Sequence, residues 1–252
     1  MDFNVSEELT SVQQLALQIL NDFTATEQLK AIDQQEHRFD PKLWQALAEA
    51  GLLALDIEEA HGGTDLGFYA LSTLCEEVGR SAAPAPVVEV LVGAAGTLRR
   101  FGSQAQKDQW LPGIADGSAL LTTALEEYNN SDPASPGATA VAMDGGFAIS
   151  GTKACVTLAS HAKRLLLSAS TGEELVVVLV DPRAAGVTLS PQVVTSGETR
   201  YELGLDKVQV GPEDVIATGA QALEAVNWAL QASRTALCAV ALGLCDRMMR
   251  TT

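Results

Sequence analysis

Few residues of this sequence stand at spacings that would support metal or thiol chemistry. The four cysteines form no Cys-x-x-Cys pair, and on one helix Cys238 and Cys245 would be about 10 Å apart, too far for a disulfide. The three scattered histidines predict no metal-ligand cluster. Two acidic pairs have the pattern of solvated helix faces rather than of catalytic carboxylates, namely Glu58-Glu59 and Glu76-Glu77.

The stretch from residue 120 to residue 162 is the main candidate for a functional site, because the pattern of the chain changes there. Before this stretch apolar residues recur at helical spacing, and after it they alternate with a period of two. We therefore expect two unlike halves of the protein to meet around it.

The composition excludes several classes of partner. The 252 residues include 32 acidic and 16 basic ones, a formal net charge of −16, and so negative a surface repels nucleic acid and anionic membranes. The hydrophobic fraction of 47% is ordinary for a globular protein. The N-terminal residues have no basic region followed by an apolar core. We expect a soluble, cytoplasmic protein with no nucleic-acid or membrane partner.

The first part of the chain predicts helices. Ser6 is a plausible N-cap, followed by apolar residues on one face. Asp40-Pro41 predicts a second helix that ends at Gly51. Two more helices, over residues 68–78 and 87–101, are predicted to end at the glycine that follows each.

The helical half closes with a capping box. Ser103-x-x-Gln106 opens a short predicted helix that runs to Leu111 and is ended by Pro112.

The middle of the chain predicts strands. The dipeptides Asp144-Gly145 and Thr171-Gly172 are of the tight-turn type and separate runs of strand composition. The pattern predicts a compact antiparallel β domain that ends at Pro212. Its predicted strands cover residues 139–143, 147–150, 164–168, 175–180, 186–189 and 201–210.

The last part of the chain, residues 220–249, predicts a helix that is apolar on nearly every side. Such a helix needs neighbours to cover it. We expect either the N-terminal helices or another chain to do so.

Local motifs resemble a known family. Residues 57–63 (IEEAHGG) and 101–117 (FGSQAQKDQWLPGIADG) resemble two signature stretches of the flavin-dependent acyl-CoA dehydrogenases. That family continues with Thr-Glu-Pro leading to Ser-Asp and, after a hairpin, with Asn-Gly-x-Lys-x-aromatic-Ile-Thr. At the same spacing this chain has Leu125-Glu126-Glu127, Ser131-Asp132 and residues 150–157 (SGTKACVT). The resemblance extends from Val5 to Thr252.

The resemblance implies a fold of three parts. These are an all-α helical domain (residues 1–118), a middle antiparallel β domain (119–218) and the first helix of a truncated C-terminal helical bundle (219–252). It also implies FAD as cofactor, an acyl-CoA substrate, an electron-transfer flavoprotein as a possible partner, and a homo- or hetero-oligomer of similar subunits.

The resemblance also implies roles for individual residues. The flavin ring would meet the backbone of residues 122–125, the side chain of Cys155 and the hydroxyl of Thr157. The acyl-CoA would be contacted by Ser131 and, through its CoA part, by Ser233-Arg234. The implied cofactor-binding residues are Thr122, Ala124, Leu125, Cys155, Val156 and Thr157.

Several residues depart from the family pattern. Leu125 replaces a threonine hydroxyl, Glu127 replaces proline, and Cys155 replaces a large aromatic that would cover far more of the ring. The family's proton-abstracting glutamate aligns beyond Thr252, so no catalytic residue is assigned here. Since general base catalysis needs a group in reach of the proton, we expect this chain alone to be inactive.

Three functions therefore stay open. In the first interpretation, the chain is a FAD-dependent acyl-CoA dehydrogenase subunit that desaturates a CoA thioester. Alternatively, it is a non-catalytic partner within a hetero-oligomeric acyl-CoA dehydrogenase. In a third interpretation it is a structural module that keeps the fold without the ligand.

Overall fold

The computed structural model describes residues 6–251, which form a helical part, a sheet and a long final helix. Val5 and Thr252, the predicted limits of the resemblance, lie outside the described residues. The helices are α1 (Glu7–Phe23), α2 (Thr26–Asp33), α3 (Pro41–Glu49), α4 (Gly67–Ser81), a π-helix (Val88–Ala95), α5 (Gly96–Phe101), α6 (Gln104–Ala115) and α7 (Gly219–Thr251). The strands are β1 (Leu121–Ala124), β2 (Thr139–Met143), β3 (Gly146–Thr157), β4 (Arg164–Ser170), β5 (Leu175–Val180), β6 (Val187–Gln192), β7 (Arg200–Val210) and β8 (Val215–Thr218).

The predicted helix caps are confirmed. Ser6 accepts a hydrogen bond from Leu9 N at 3.2 Å, and Asp40 caps α3 with Pro41 at its first position. Ser103 and Gln106 form the predicted capping box of α6. The helix α2 was not among the predicted elements.

Two predicted helix ends are wrong. Helix α4 continues past Gly79 to Ser81, because Gly79 serves close packing: a side chain there would collide with the backbone of Val240 in α7. Helix α6 passes through Pro112 and ends at Ala115. Pro112 cannot donate a hydrogen bond, but its carbonyl accepts from Asp116 N at 3.0 Å and completes the last turn.

The helix predicted over residues 87–101 is present in two forms. Its first part is the π-helix Val88–Ala95, where Gly96 N bonds to Leu91 O five residues back. The remainder is α5. Such wide turns are frequent at functional sites.

One eight-stranded sheet contains all strands, in the order β6-β7-β3-β2-β4-β5-β8, with β1 also paired to β4. The predicted hairpin at Asp144-Gly145 joins β2 to β3, and Thr171-Gly172 joins β4 to β5. The sheet is mixed rather than wholly antiparallel, because β1 and one residue of β2 pair with β4 in parallel. The predicted end at Pro212 is wrong, since β8 follows it and pairs with β5 as the last strand of the sheet.

Helix α7 extends the core that joins the helices to the sheet. Its small residues are buried, including Ala225, Ala229 and Gly243. A side chain at Gly243 would collide with the backbone of Glu76, so α4 and α7 touch backbone to backbone. Arg80 of α4 also pairs with Asp246. The N-terminal helices therefore provide part of the cover that the apolar composition of α7 requires.

The second half of α7 keeps an exposed apolar surface. The helix is long and apolar enough to cross a membrane by length and composition alone, a property that core helices of soluble proteins share. The exposed large apolar side chains on α7 are Leu223, Leu237, Leu242, Leu244, Met248 and Met249.

Candidate functional site

Strand β1 carries the first group of predicted cofactor residues. It pairs in parallel with β4 through Leu121–Ala124, and no strand among residues 6–251 pairs with its other edge. Thr122 and Ala124 are buried, whereas Leu125 is half-buried just after the strand. The Thr122 hydroxyl is buried without a hydrogen-bond partner among the described residues. Since buried polar groups normally have a hydrogen-bond partner, the Thr122 hydroxyl is a candidate to bond with a ligand.

The end of β3 carries the second group. Cys155 adopts a left-handed backbone conformation (φ 54°), and the register of β3 against β7 shifts between Lys153 and Val156. A non-glycine residue in this conformation costs about 1–2 kcal/mol. Cys155 N donates to Gln192 Oε1 at 2.8 Å, and Cys155 O accepts from Arg200 Nη1 at 3.1 Å. Both backbone polar groups of Cys155 are therefore already occupied.

The hydroxyl of Thr157 is occupied as well. It donates to Glu89 Oε1 at 3.1 Å, and the same oxygen accepts from Arg200 Nη2 at 3.0 Å. Arg200 pairs also with Glu198 at 2.7 Å. Burial alone would lower the pKa of Arg200, but the carboxylates of Glu89 and Glu198 raise it above the usual value. The guanidinium therefore stays charged and holds Glu89 against Thr157.

The π-helix is where the predicted residues converge. Its Glu89 reaches Thr157 of β3. A side chain at Gly93 would place its Cβ 2.7 Å from Thr123 Cγ2 of β1 and 3.5 Å from Ser233 Oγ of α7. Only glycine allows so close an approach. The structure thus brings β1, the end of β3 and Ser233 around one short helix.

Two predicted thioester residues lie apart from this group. Ser131 is exposed in the loop between β1 and β2 and makes no hydrogen bond with another side chain among residues 6–251. Arg234 is exposed on α7 and forms no ion pair within the same range. Both side chains are free for a ligand that reaches over the surface.

Glu127, which the sequence places in the same loop, is held internally. It accepts from the Lys153 ammonium at 2.7 Å and from the backbone N–H groups of Gly137 and Ala138. Burial alone would raise the pKa of Glu127, but Lys153 and these two N–H groups lower it below the usual value. The side chain of Lys153 is fully buried and that of Glu127 is 8% exposed. This pair fixes the segment after β1 to β3 and neutralises the acidic charge.

A cavity of about 320 Å³ lies beside Thr157 and Glu89. It is bounded by the end of α4, the segment around Pro84 and Pro86, the start of the π-helix, the end of β3, the start of β7 and the middle of α7. Its polar lining includes Thr157, Glu89 and Arg200, together with Arg38 and Glu198.

Comparison with known proteins gives the family of this site. The family model described as "Acyl-CoA dehydrogenase, N-terminal domain" matches residues 6–118. Acyl-CoA dehydrogenase FadE28 of Mycobacterium tuberculosis is 33% identical over 174 residues, 69% of this chain and 49% of the relative. The chain belongs to the acyl-CoA dehydrogenase family.

Two solved structures agree over nearly the whole chain. A variant of the Tcur3481-Tcur3483 steroid ACAD is 41% identical with a TM-score of 0.89, over 97% of this chain and 65% of that one. The ChsE4-ChsE5 complex from Mycobacterium tuberculosis is 26% identical with a TM-score of 0.91, over 100% of this chain and 67% of that one. The chain spans about half the length of curated relatives such as FadE28. Members of the family are FAD-dependent oxidoreductases.

The residues of this acyl-CoA dehydrogenase chain fit FAD at β1. The unpaired edge of that strand and the buried, unpartnered Thr122 hydroxyl provide polar groups that a flavin ring edge can use. At the end of β3 the corresponding groups are bonded to Gln192, Arg200 and Glu89.

The sequence interpretation missed Glu89, Arg200 and the Glu127–Lys153 pair. A signal for Glu89 was available, since it is the one charged residue within the apolar run 87–95 (VVEVLVGAA). Arg200 has no such signal, because only the fold brings it to the π-helix.

Proposed function

We propose that this chain is a subunit of a FAD-dependent acyl-CoA dehydrogenase that introduces an α,β double bond into a CoA thioester in the cytoplasm. The observation that carries the proposal is the convergence on the π-helix. There Gly93 lets β1 and Ser233 of α7 approach, and Glu89 reaches Thr157 of β3. These three elements contain most of the residues that the family resemblance assigns to flavin and thioester.

The contacts suggest a separate role for each of these elements in binding the cofactor and the substrate. When bound, FAD supplies the acceptor for the hydride that leaves the substrate β-carbon. The free edge of β1 would hold the ring edge, while Cys155 and Val156 would flank the ring. Ser233 and the unpaired Arg234 would orient the CoA part, since arginine suits phosphate recognition and must act against the net charge of −16.

The general base is assigned to a group outside residues 6–251, either in a C-terminal segment or in a second chain. Glu89 is the carboxylate beside Thr157, but Arg200 and Thr157 both hold it. Proton abstraction needs a group that is free to reach the substrate α-carbon.

A second candidate function is that of a non-catalytic partner subunit. It is favoured by the occupied groups at the end of β3, where Thr157 donates to Glu89 and Cys155 bonds to Gln192 and Arg200. Two of the similar structures are named by two components each, Tcur3481-Tcur3483 and the ChsE4-ChsE5 complex. In this case a second, unlike subunit would supply the base and the rest of the flavin site, and an electron-transfer flavoprotein would accept the electrons.

One purification separates the candidates. Protein that carries flavin absorbance and reduces an artificial electron acceptor with an acyl-CoA would support the first proposal. Flavin and activity that appear only after mixing with a related subunit would support the second. A colourless monomer by light scattering, without heat on titration with FAD or acyl-CoA, would contradict both and leave a ligand-free structural module.

Arg234 provides a sharper test of the thioester site. Arg234→Gln is expected to weaken acyl-CoA binding about tenfold, because a charge-assisted hydrogen bond to phosphate contributes about 1.5–3 kcal/mol. Arg247→Gln, at an exposed arginine further along the same helix, is the matched control and should leave binding unchanged. Equal effects of the two substitutions would contradict the assignment.

A further inference from the structure

Two histidines lie together where the connection between α2 and α3 meets the sheet. The imidazole rings of His37 and His161 have their centroids 4.8 Å apart and are nearly perpendicular, at 86°. His37 precedes α3, and His161 lies in the turn between β3 and β4. The pair therefore joins the helical part of the chain to the sheet.

Two hydroxyl groups also connect the imidazoles through hydrogen bonds. His161 Nδ1 lies 3.0 Å from Ser160 Oγ, which lies 2.9 Å from Tyr201 Oη. Tyr201 Oη lies 3.4 Å from His37 Nδ1, and the Tyr201 side chain is buried. These three links need three protons, but the two hydroxyl groups supply only two. One imidazole therefore donates from its Nδ1, and the other accepts there.

A proton on both imidazoles disrupts this arrangement. An imidazolium has two N–H groups and no acceptor, so the accepting end of the chain is lost. Two positive rings would also face each other and repel. Burial and the neighbouring His37 lower the pKa of His161 below its usual value of 6.5. The stabilising contribution of the pair is therefore complete above that pH and is lost as the pH falls below it.

No carboxylate is paired with either imidazole within residues 6–251. On the adjoining segments Asp33 pairs with Arg38 at 2.8 Å, and Glu198 pairs with Arg200 at 2.7 Å. Asp40 caps α3. The carboxylates with partners are thus committed to other groups and do not offset the repulsion. Three more charged residues of these segments lie at the surface, namely Glu36, Lys163 and Arg183.

The backbone beside His37 reports on the same contact. Arg38 N donates to Thr199 Oγ1 at 2.7 Å, and Arg38 Nη1 donates to Ser196 O at 2.9 Å. Phe39 packs against the His161 ring, with centroids 5.7 Å apart. Since these residues follow His37 directly, its displacement from His161 would expose the Arg38 amide.

We propose that His37 and His161 form a proton-sensitive latch, which fixes residues 34–39 to the sheet at neutral pH and releases them when both imidazoles are protonated. The latch contains none of the residues assigned to flavin or thioester. It is a regulatory device beyond the proposed function, and its opening requires no ligand.

Amide hydrogen exchange of the purified chain, followed by NMR, measures the opening directly. Comparison of about pH 7 with about pH 5 isolates the histidines, because most carboxylates titrate at lower pH. After correction for the intrinsic pH dependence of exchange, the protection factor of the Arg38 amide should fall about tenfold at the lower pH. The Ala119 amide, which donates to Gly113 O at 2.7 Å, should keep its protection. An unchanged protection factor for Arg38, or an equal fall at both amides, would overturn the proposal.

Two variants assign the effect to the pair. His161→Gln should abolish the fall at Arg38, because the second charge can no longer form. His61→Gln, at the third histidine, which bonds to Asp108 instead, should keep the wild-type fall. A wild-type fall in His161→Gln, or no fall in His61→Gln, would contradict the latch. His37→Gln removes the other charge and takes the place of His161→Gln if that variant does not fold.

Discussion

Strand β1 and the end of β3 match the family motifs equally well at the level of spacing, yet they differ in the state of their polar groups. One edge of β1 has no strand partner among residues 6–251, and the Thr122 hydroxyl has no hydrogen bond. At the end of β3, Cys155 and Thr157 are bonded to Gln192, Arg200 and Glu89. Thus the Thr122 hydroxyl of β1 lacks a hydrogen-bond partner among residues 6–251, whereas the polar groups at the end of β3 are bonded to this chain's own side chains.

The difference shows that a motif position and an available functional group are separate properties. Thr157 stands at the position of a flavin-contacting hydroxyl, but its proton goes to Glu89 on the π-helix, 68 residues earlier in the chain. Spacing within a motif reports where a backbone segment lies. The tertiary partners decide what its side chains can still bind.

The largest expected effect concerns the ion pair that joins the two regions. Glu127→Ala leaves the Lys153 ammonium buried and unpaired, and should lower the free energy of unfolding by about 3–5 kcal/mol in urea titrations. The double variant Glu127→Gln, Lys153→Met removes both charges and should recover most of this loss. A loss below about 1 kcal/mol for Glu127→Ala would show that the pair does not fix β1 to β3.

The close approach at Gly93 gives the next effect. Gly93→Ala places a Cβ 2.7 Å from Thr123 Cγ2, and should destabilise the protein by about 1–3 kcal/mol because β1 must shift. FAD and acyl-CoA binding should weaken with it. Adding Thr123→Ser removes the methyl group that collides, so this second change should restore both properties. If Thr123→Ser restored neither stability nor binding, the collision with the Thr123 methyl group would not be the cause of the Gly93→Ala effect.

Acid should loosen the same connection in the wild type. Glu127 has a pKa below its usual value of 4.5, so its stabilising contribution is complete above that pH and is lost as the pH falls through the folded-state pKa. Unfolding experiments between neutral pH and about pH 3 should show a steeper loss for the wild type than for the double variant at positions 127 and 153. Parallel curves would contradict this account of the pair.

The smallest effect concerns exposure at the end of β3. Half-buried Cys155 should react slowly with iodoacetamide, and added FAD should slow it several-fold by covering the side chain. Exposed Cys238 and Cys245 provide the reference rate, while Cys75 should stay unlabelled because burial raises the pKa of its thiol to about 12. Mass spectrometry of the alkylated peptides measures the reaction rates of all four cysteines. If FAD slowed the alkylation of Cys238 as much as that of Cys155, the protection would not be specific to the end of β3.

The sequence predicted the elements whose signals are local. Asp144-Gly145 gave the β2–β3 hairpin because the two turn residues themselves set the backbone conformation. The helix end predicted at Pro112 is wrong because the loss of one backbone donor near a helix end is tolerated. The helix end predicted at Gly79 is wrong because this glycine serves close contact with α7, which is distant in sequence. For the site, the positions of Thr122 and Thr157 could be predicted. The capture of Thr157 by Glu89 could not, since it depends on how the π-helix packs against β3.

The most direct test of the contrast between the two regions is a double-mutant cycle on the FAD dissociation constant. Thr157→Val should change FAD affinity by less than about twofold in the wild type, because the hydroxyl is already committed to Glu89. In a Glu89→Leu background, where the hydroxyl is released, the same substitution should weaken FAD about tenfold, a coupling of about 1 kcal/mol. An equal loss in both backgrounds would show that the Thr157 hydroxyl is available in the wild type and would contradict its commitment to Glu89. Absence of FAD binding in all four proteins, with or without a related subunit, would contradict the proposed flavin site as a whole.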